Sequence, residues 1–195
     1  MGRVIVTEFV SLDGVMEDPG GAEDYPHGGW TFKFDRGDDG NKFKLSETLE
    51  AEALLLGRVT YEGFAKAWPT MTDTAGFADK MNAMPKYVVS GTLTDPTWNN
   101  TTVIGSDVAS AVGRLKADVA GDLLVAGSAQ LVGGLLAADL VDELRLMVFP
   151  VVLRAGKKMF PDDGGAPLTL HPVGVQSVGS DGVVILTYSR QAPAP

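Results

Sequence analysis

The sequence predicts a three-layer α/β/α domain, with a mostly parallel sheet and an antiparallel hairpin at its C-terminal end. Three observations carry that expectation. Apolar strand-like runs pass through glycine or serine at residues 57–58, 90–91 and 127–128. Helical patterns follow two of these turns directly, so strand, turn and helix recur along the chain. The last third instead becomes β-rich around the tight-turn signal Gly179-Ser180-Asp181-Gly182.

Residues 3–10 mix β-branched and aromatic types and run into Ser11-Leu12-Asp13-Gly14, a strand followed by a turn. From there to about Asp39 the chain is rich in Gly, Asp and Pro, a stretch long enough to read as a functional loop. Phe43, Leu45 and Leu49 fall at helical spacing within residues 41–52, before the strand Leu54-Leu55-Leu56. A helix to about Ala67, a second helical stretch over 73–83 and a strand over 86–90 follow. The turn Asp95-Pro96 then leads into a strand over 98–104. Val108, Ala111, Val112, Leu115 and Val119 predict an amphipathic helix with Ser106 or Asp107 as N-cap. Residues 122–126 form an apolar strand and 129–140 another helix. A long β-rich run over 143–153 precedes the hairpin strands 168–178 and 183–190. One domain over 1–190 and a disordered tail over 191–195 are expected.

Composition narrows the function. The 195 residues are 45% hydrophobic, enough for a single sizeable core. No apolar run approaches the roughly 20 residues of a membrane helix, and the N-terminus opens on a strand pattern, so a cytoplasmic protein is expected. Cysteine is absent, which excludes disulfides, thiolate nucleophiles and cysteine-based metal sites. His27 and His171 are the two histidines, and His27 with Asp24 and Glu23 has no diagnostic metal spacing, so no metal is expected. The formal charge is −9 with scattered bases, which argues against a nucleic-acid partner.

The chemistry concentrates where strands end. At Gly57-Arg58-Val59-Thr60 a strand enters a helix through glycine, and the first turn of a helix offers unpaired N–H groups. Arg58 adds a fixed cation and Thr60 a hydroxyl, a combination suited to phosphate. Ser90-Gly91 and Gly127-Ser128 stand at two further strand ends, the edge of an open α/β sheet where ligands bind. Tight turning alone is the simpler reading for each glycine taken singly. There is no Gly-x-Gly-x-x-Gly and no Gly-x-x-x-x-Gly-Lys-Ser/Thr. Neither Ser90 nor Ser128 lies in Gly-x-Ser-x-Gly, which speaks against a serine hydrolase.

These segments resemble the dihydrofolate reductase superfamily. The closer likeness is to its branch of stand-alone proteins similar to the C-terminal reductase domain of the bifunctional riboflavin-biosynthesis deaminase-reductase. Gly57-Arg58-Val59-Thr60-Tyr61-Glu62 resembles the phosphate-holding element, Val88-Val89-Ser90 the second cofactor strand, and Val125-Ala126-Gly127-Ser128-Ala129-Gln130-Leu131 the third element. Ser11-Leu12-Asp13-Gly14 is similar to the opening of the active-site loop, and residues 150–160 to the loop before the hairpin. The resemblance implies an NADPH-dependent reductase passing hydride to a flat nitrogen heterocycle: a pterin, a pyrimidine precursor such as a 5-amino-6-(5-phosphoribosylamino)uracil, or a flavin-like compound. A non-catalytic binder of nucleotide or heterocycle on the same fold is the alternative.

The resemblance also implies Arg58 near the 2′-phosphate, Thr60 and the Ser128–Ala129 backbone near the pyrophosphate, and Ser90 near the adenosine. Gly57, Gly127 and Gln130 complete that set, with a cis peptide between Ala126 and Gly127 and a homodimer paired through the C-terminal strands. In dihydrofolate reductases a carboxylate on the helix before Gly-Arg-x-Thr supports substrate protonation. Gapless counting puts Asn41 there, and Asp39 takes the role if the helix is shifted, or else caps it. Asp13 either orients substrate or bonds its own turn. Trp30 either covers the substrate or pins its loop to the core.

Overall fold

The computed structural model describes residues 1–161 and 165–191. The strands are β1 (Val4–Ser11), β2 (Ala53–Gly57), β3 (Lys86–Val89), β4 (Thr101–Ile104), β5 (Leu123–Ala126), β6 (Glu143–Phe149), β7 (His171–Val178) and β8 (Val183–Ser189). They form one sheet in the order β4-β3-β2-β5-β1-β6-β8-β7. The six strands from β4 to β6 in that order are mutually parallel. β8 inserts antiparallel beside β6, with β7 outside it as the edge, which is the expected hairpin. The tail expected over 191–195 lies, beyond Gln191, outside the described residues.

Helices cover both faces, and strand alternation decides which side chains meet them. Ile5, Leu54, Leu56, Val88 and Leu124 point toward α2 (Arg58–Ala67) and α3 (Phe77–Ala83). On the same face, Met147, Phe149 and Ile185 pack with Phe43 of α1 (Gly37–Glu50). Val4, Val6, Leu55, Leu123, Val125 and Leu144 point the other way, onto Val112 of α4 (Val108–Asp118) and Leu131, Val132 and Leu135 of α5 (Ala129–Ala137). The central strands are therefore buried on both sides.

Several boundaries differ from expectation. α1 starts at Gly37 rather than 41, because the residues it buries include Gly40, Glu47 and Thr48, so apolar periodicity does not mark its first turn. β4 starts at Thr101 rather than 98. Trp98 is buried against Tyr61, whose hydroxyl accepts the Trp98 N–H (2.9 Å), and Asn100 at φ 57° breaks the extended path. β6 ends at Phe149 where 143–153 was expected, since Pro150 follows and residues 151–154 turn to bond the segment after β1. The Leu12 N–H donates to the Val151 carbonyl (2.8 Å). α3 begins at Phe77 rather than 73, because the Asp73 carboxylate bonds the N–H groups of Ala75, Phe77 and Ala78 ahead of the helix.

Candidate active site

A cleft of about 1900 Å³ opens along the carboxyl ends of the parallel strands. Gly57, Arg58, Thr60, Ser90, Gly127, Ser128, Ala129 and Gln130 all line it, so the structure brings together every residue expected at a cofactor. α2 and α5 both start on this cleft without a side-chain cap, leaving their first N–H groups for a ligand. They approach from opposite faces of the sheet and meet through Ser128. Its hydroxyl accepts the Gly57 N–H (3.0 Å) and bonds the Thr60 hydroxyl (2.8 Å). There is no room for larger residues: a methyl group on Gly57 would collide with the Ser128 side chain, and one on Gly127 would lie 2.7 Å from Thr60 Oγ1.

The Ala126–Gly127 peptide is not cis; no cis bond occurs among the described residues. Two successive left-handed residues, Gly127 at φ 75° and Ser128 at φ 71°, turn the chain instead. Arg58 is half exposed and pairs with Glu62 one turn along (3.0 Å). The Ser90 hydroxyl accepts the N–H groups of Thr92 (3.1 Å) and Leu93 (2.9 Å), shaping the turn at that end.

The other end of the cleft is walled by Thr7, Glu8 and Phe9 of β1, by α1 and by the segment from Met16 to Glu23. Lys44 reaches over the sheet. Its ammonium donates to Thr7 Oγ1 (2.8 Å), pairs with Glu47 and lies 4.9 Å from the centre of the Phe9 ring. Arg36 stands 5.4 Å from the same ring and donates to Asn41 Oδ1 (2.7 Å); burial lowers its pKa. Thr7 also donates to Glu47 (2.8 Å), and Arg145 stands 3.7 Å from the other Glu47 oxygen.

Three residues expected at the substrate lie elsewhere. The Asp13 carboxylate accepts from the Ser11 hydroxyl (2.6 Å) and from the N–H groups of Leu153 (3.1 Å) and Arg154 (2.7 Å), outside the cleft walls. The Ser11 bond first, and the backbone bonds after it, lower its pKa to about 2. This is the turn-bonding alternative, extended to a second loop. Asp39 is exposed in the first turn of α1, with Arg36 at the cap position, and its neighbour Asp38 faces the cleft. Trp30 is buried, edge-on to Phe149 (centroids 5.4 Å apart), with its indole N–H on the Glu17 carbonyl (2.9 Å). It pins the loop, while Thr31 and Phe32 face the cleft.

The acidic group that the sequence reading missed is Glu8. It is 6% exposed, lines the cleft, and its Oε1 has no hydrogen-bond partner. Desolvation raises its pKa from 4.5 to about 8. Lys44 and the Gly127 N–H oppose that rise, and Glu47 adds to it. Its folded pKa is the higher one, so its contribution to stability is fully present below about pH 4.5 and is lost as pH rises through about 8. In urea titrations, wild type should lose stability relative to Glu8→Gln between those limits, with a ceiling of about 5 kcal/mol. Equal slopes with pH for the two proteins would show that Glu8 titrates normally.

Fold and cleft together define a protein of the dihydrofolate reductase-like class. Within it, the chain belongs to the RibD C-terminal domain family, which it matches over residues 3–184. Two Bacillus subtilis (strain 168) proteins, both uncharacterized, are similar. YwjB is 28% identical over 81% of this chain and 82% of its own, and YyaP 28% identical over 82% and 81%. A crystal structure from Shewanella sp. PV-4, of a protein whose name assigns it provisionally to riboflavin biosynthesis, superposes with a TM-score of 0.75. It covers 97% of this chain and 99% of its own at 20% identity, a likeness of fold.

Proposed function

We propose that this chain is an NAD(P)H-dependent reductase that transfers hydride to a flat nitrogen heterocycle, as its family membership suggests. One observation carries the reading: the uncapped starts of α2 and α5, with Arg58 beside them, face a single cleft whose other end holds Glu8, Arg36 and Lys44. The cradle fits a dinucleotide, because glycine at 57 and 127 lets Ser128 and Thr60 pack against the backbone and so brings the two uncapped helix starts together on one cleft. The cofactor, when bound, supplies the hydride. The chain's own residues bind phosphate at the two helix starts and hold the heterocycle at the β1 end of the cleft, with Arg36 and Lys44 beside it.

Arg58 favours NADPH over NADH, since its guanidinium provides a fixed partner for a 2′-phosphate. Calorimetric titration should show NADPH binding weakened about tenfold by Arg58→Ala, roughly 1.4 kcal/mol, with NADH little changed. Absence of binding by either nucleotide would sink the reductase reading and leave the heterocycle binder. A homodimer accompanies the proposal. Edge strand β7 exposes Val173 (60%) and Val175 (68%), and sedimentation should give twice the mass of one chain.

A further inference from the structure

We propose that Glu8 is the proton donor of this reductase, delivering the proton that complements hydride at the heteroatom of a C=N or C=O bond. The inference rests on the reductase reading above and names a residue within it. Glu8 is the fifth of the eight residues of β1; it pairs with Leu146 of β6 and follows directly on the last β5 pair, Thr7 with Ala126, so its backbone is held by the sheet. Its carboxyl is buried in the wall of the cleft, beside the turn where Gly127 starts the approach to α5. The unpartnered Oε1 is a polar atom with no internal use. A buried polar atom left without a partner costs stability, and a ligand atom in the cleft can satisfy it.

The groups around it suit a proton kept until needed. From α1 come the Lys44 ammonium and the Glu47 carboxylate. Thr7 and Arg145 belong to the same network on the opposite face of the sheet, both engaged with Glu47. From the β5–α5 turn comes the Gly127 N–H. Lys44 is spent on Glu47 and Thr7, so burial outweighs its pull and Glu8 stays protonated at neutral pH. Asp38, Asp39 and Asn41 do not supply an equivalent. The two aspartates are exposed, and Asn41 has no acidic proton and accepts from Arg36.

The balance is simple. The hydride pair forms a C–H bond at the carbon of the polar double bond, whose π pair moves to the heteroatom. That pair takes the proton from Glu8, breaking the carboxyl O–H bond. The substrate gains two electrons and two hydrogens, the dihydronicotinamide is oxidised by two electrons, and the Glu8 carboxylate regains its proton from solvent.

Two measurements test it. Carbon-13 NMR of glutamate-labelled protein without nucleotide should show one side-chain carboxyl titrating near pH 8 that disappears in Glu8→Gln. If the Glu8 signal titrates as an ordinary glutamate, the proposal is overturned. Nucleotide oxidation is then followed with dihydrofolate and 5-amino-6-(5-phosphoribosylamino)uracil as probes. Glu8→Gln should lower kcat at least 100-fold with NADPH affinity within twofold of wild type, and Glu8→Asp should recover part of the rate. A Glu8→Gln protein that binds NADPH normally and turns over at the wild-type rate overturns the proposal while the reductase reading stands. A wild type that neither binds NADPH nor consumes it with either probe removes both.

Discussion

Gly127→Ala should abolish nucleotide binding and lower stability by about 3 kcal/mol, because two independent costs fall on one atom. The backbone there has φ 75°, which strains an L side chain by about 1–2 kcal/mol. The added methyl would also stand 2.7 Å from Thr60 Oγ1 and 2.9 Å from Thr60 Cγ2, an overpacking worth about 1–3 kcal/mol more. Relief by moving Thr60 drags the first turn of α2 out of register with α5, since Thr60 and Ser128 share a hydrogen bond. Gly57→Ala isolates the second cost. Its own φ of −82° suits any residue, so its penalty comes from collision with Ser128 alone and should be smaller. Adding Thr60→Ala to Gly127→Ala should restore part of the stability but not the strain. Melting temperatures read these differences directly, and a Gly127→Ala protein melting with wild type would show the junction to be looser than described.

Trp30→Ala should cost about 3–5 kcal/mol, the range for emptying a buried indole site. Trp30 packs edge-on to Phe149, which also meets Phe9 (5.6 Å) and Phe34 (6.0 Å), so one deletion opens a cluster that joins loop, sheet and cleft wall. The indole bond to the Glu17 carbonyl disappears with it, freeing the 12–36 segment at its middle. Limited proteolysis should then cut within that segment, whereas Trp30→Phe keeps most of the packing and should cut far less. A Trp30→Ala protein of unchanged melting temperature but weakened substrate binding would reverse the assignment and make the residue a lid.

The sequence made the parallel core legible because its strands are short apolar runs and because α4 and α5 carry apolar residues at three- and four-residue spacing. The cleft-lining junctions were legible for a related reason: glycine and hydroxyl residues at strand ends announce a turn into a helix. The substrate side was hidden. Asp13 could not be placed from its neighbours, since two of its three partners lie about 140 residues away. Glu8 looked like one polar residue among the β-branched and aromatic types of its strand, and only a sheet covered on both faces turns that position inward. α1 began too early to read because its buried positions include glycine, threonine and glutamate rather than an apolar stripe.

The Ser128 junction has a consequence for how the cleft responds to substitution. Two helix starts from opposite sides of the sheet are locked to each other through one hydroxyl, so the half of the cleft they frame moves as a unit and tolerates little change. The opposite half is framed largely by a loop held through side-chain and backbone bonds that individual substitutions can redraw. Substitutions within residues 12–36 should therefore reshape that half alone, whereas a change at Ser128 should disturb both helix starts at once.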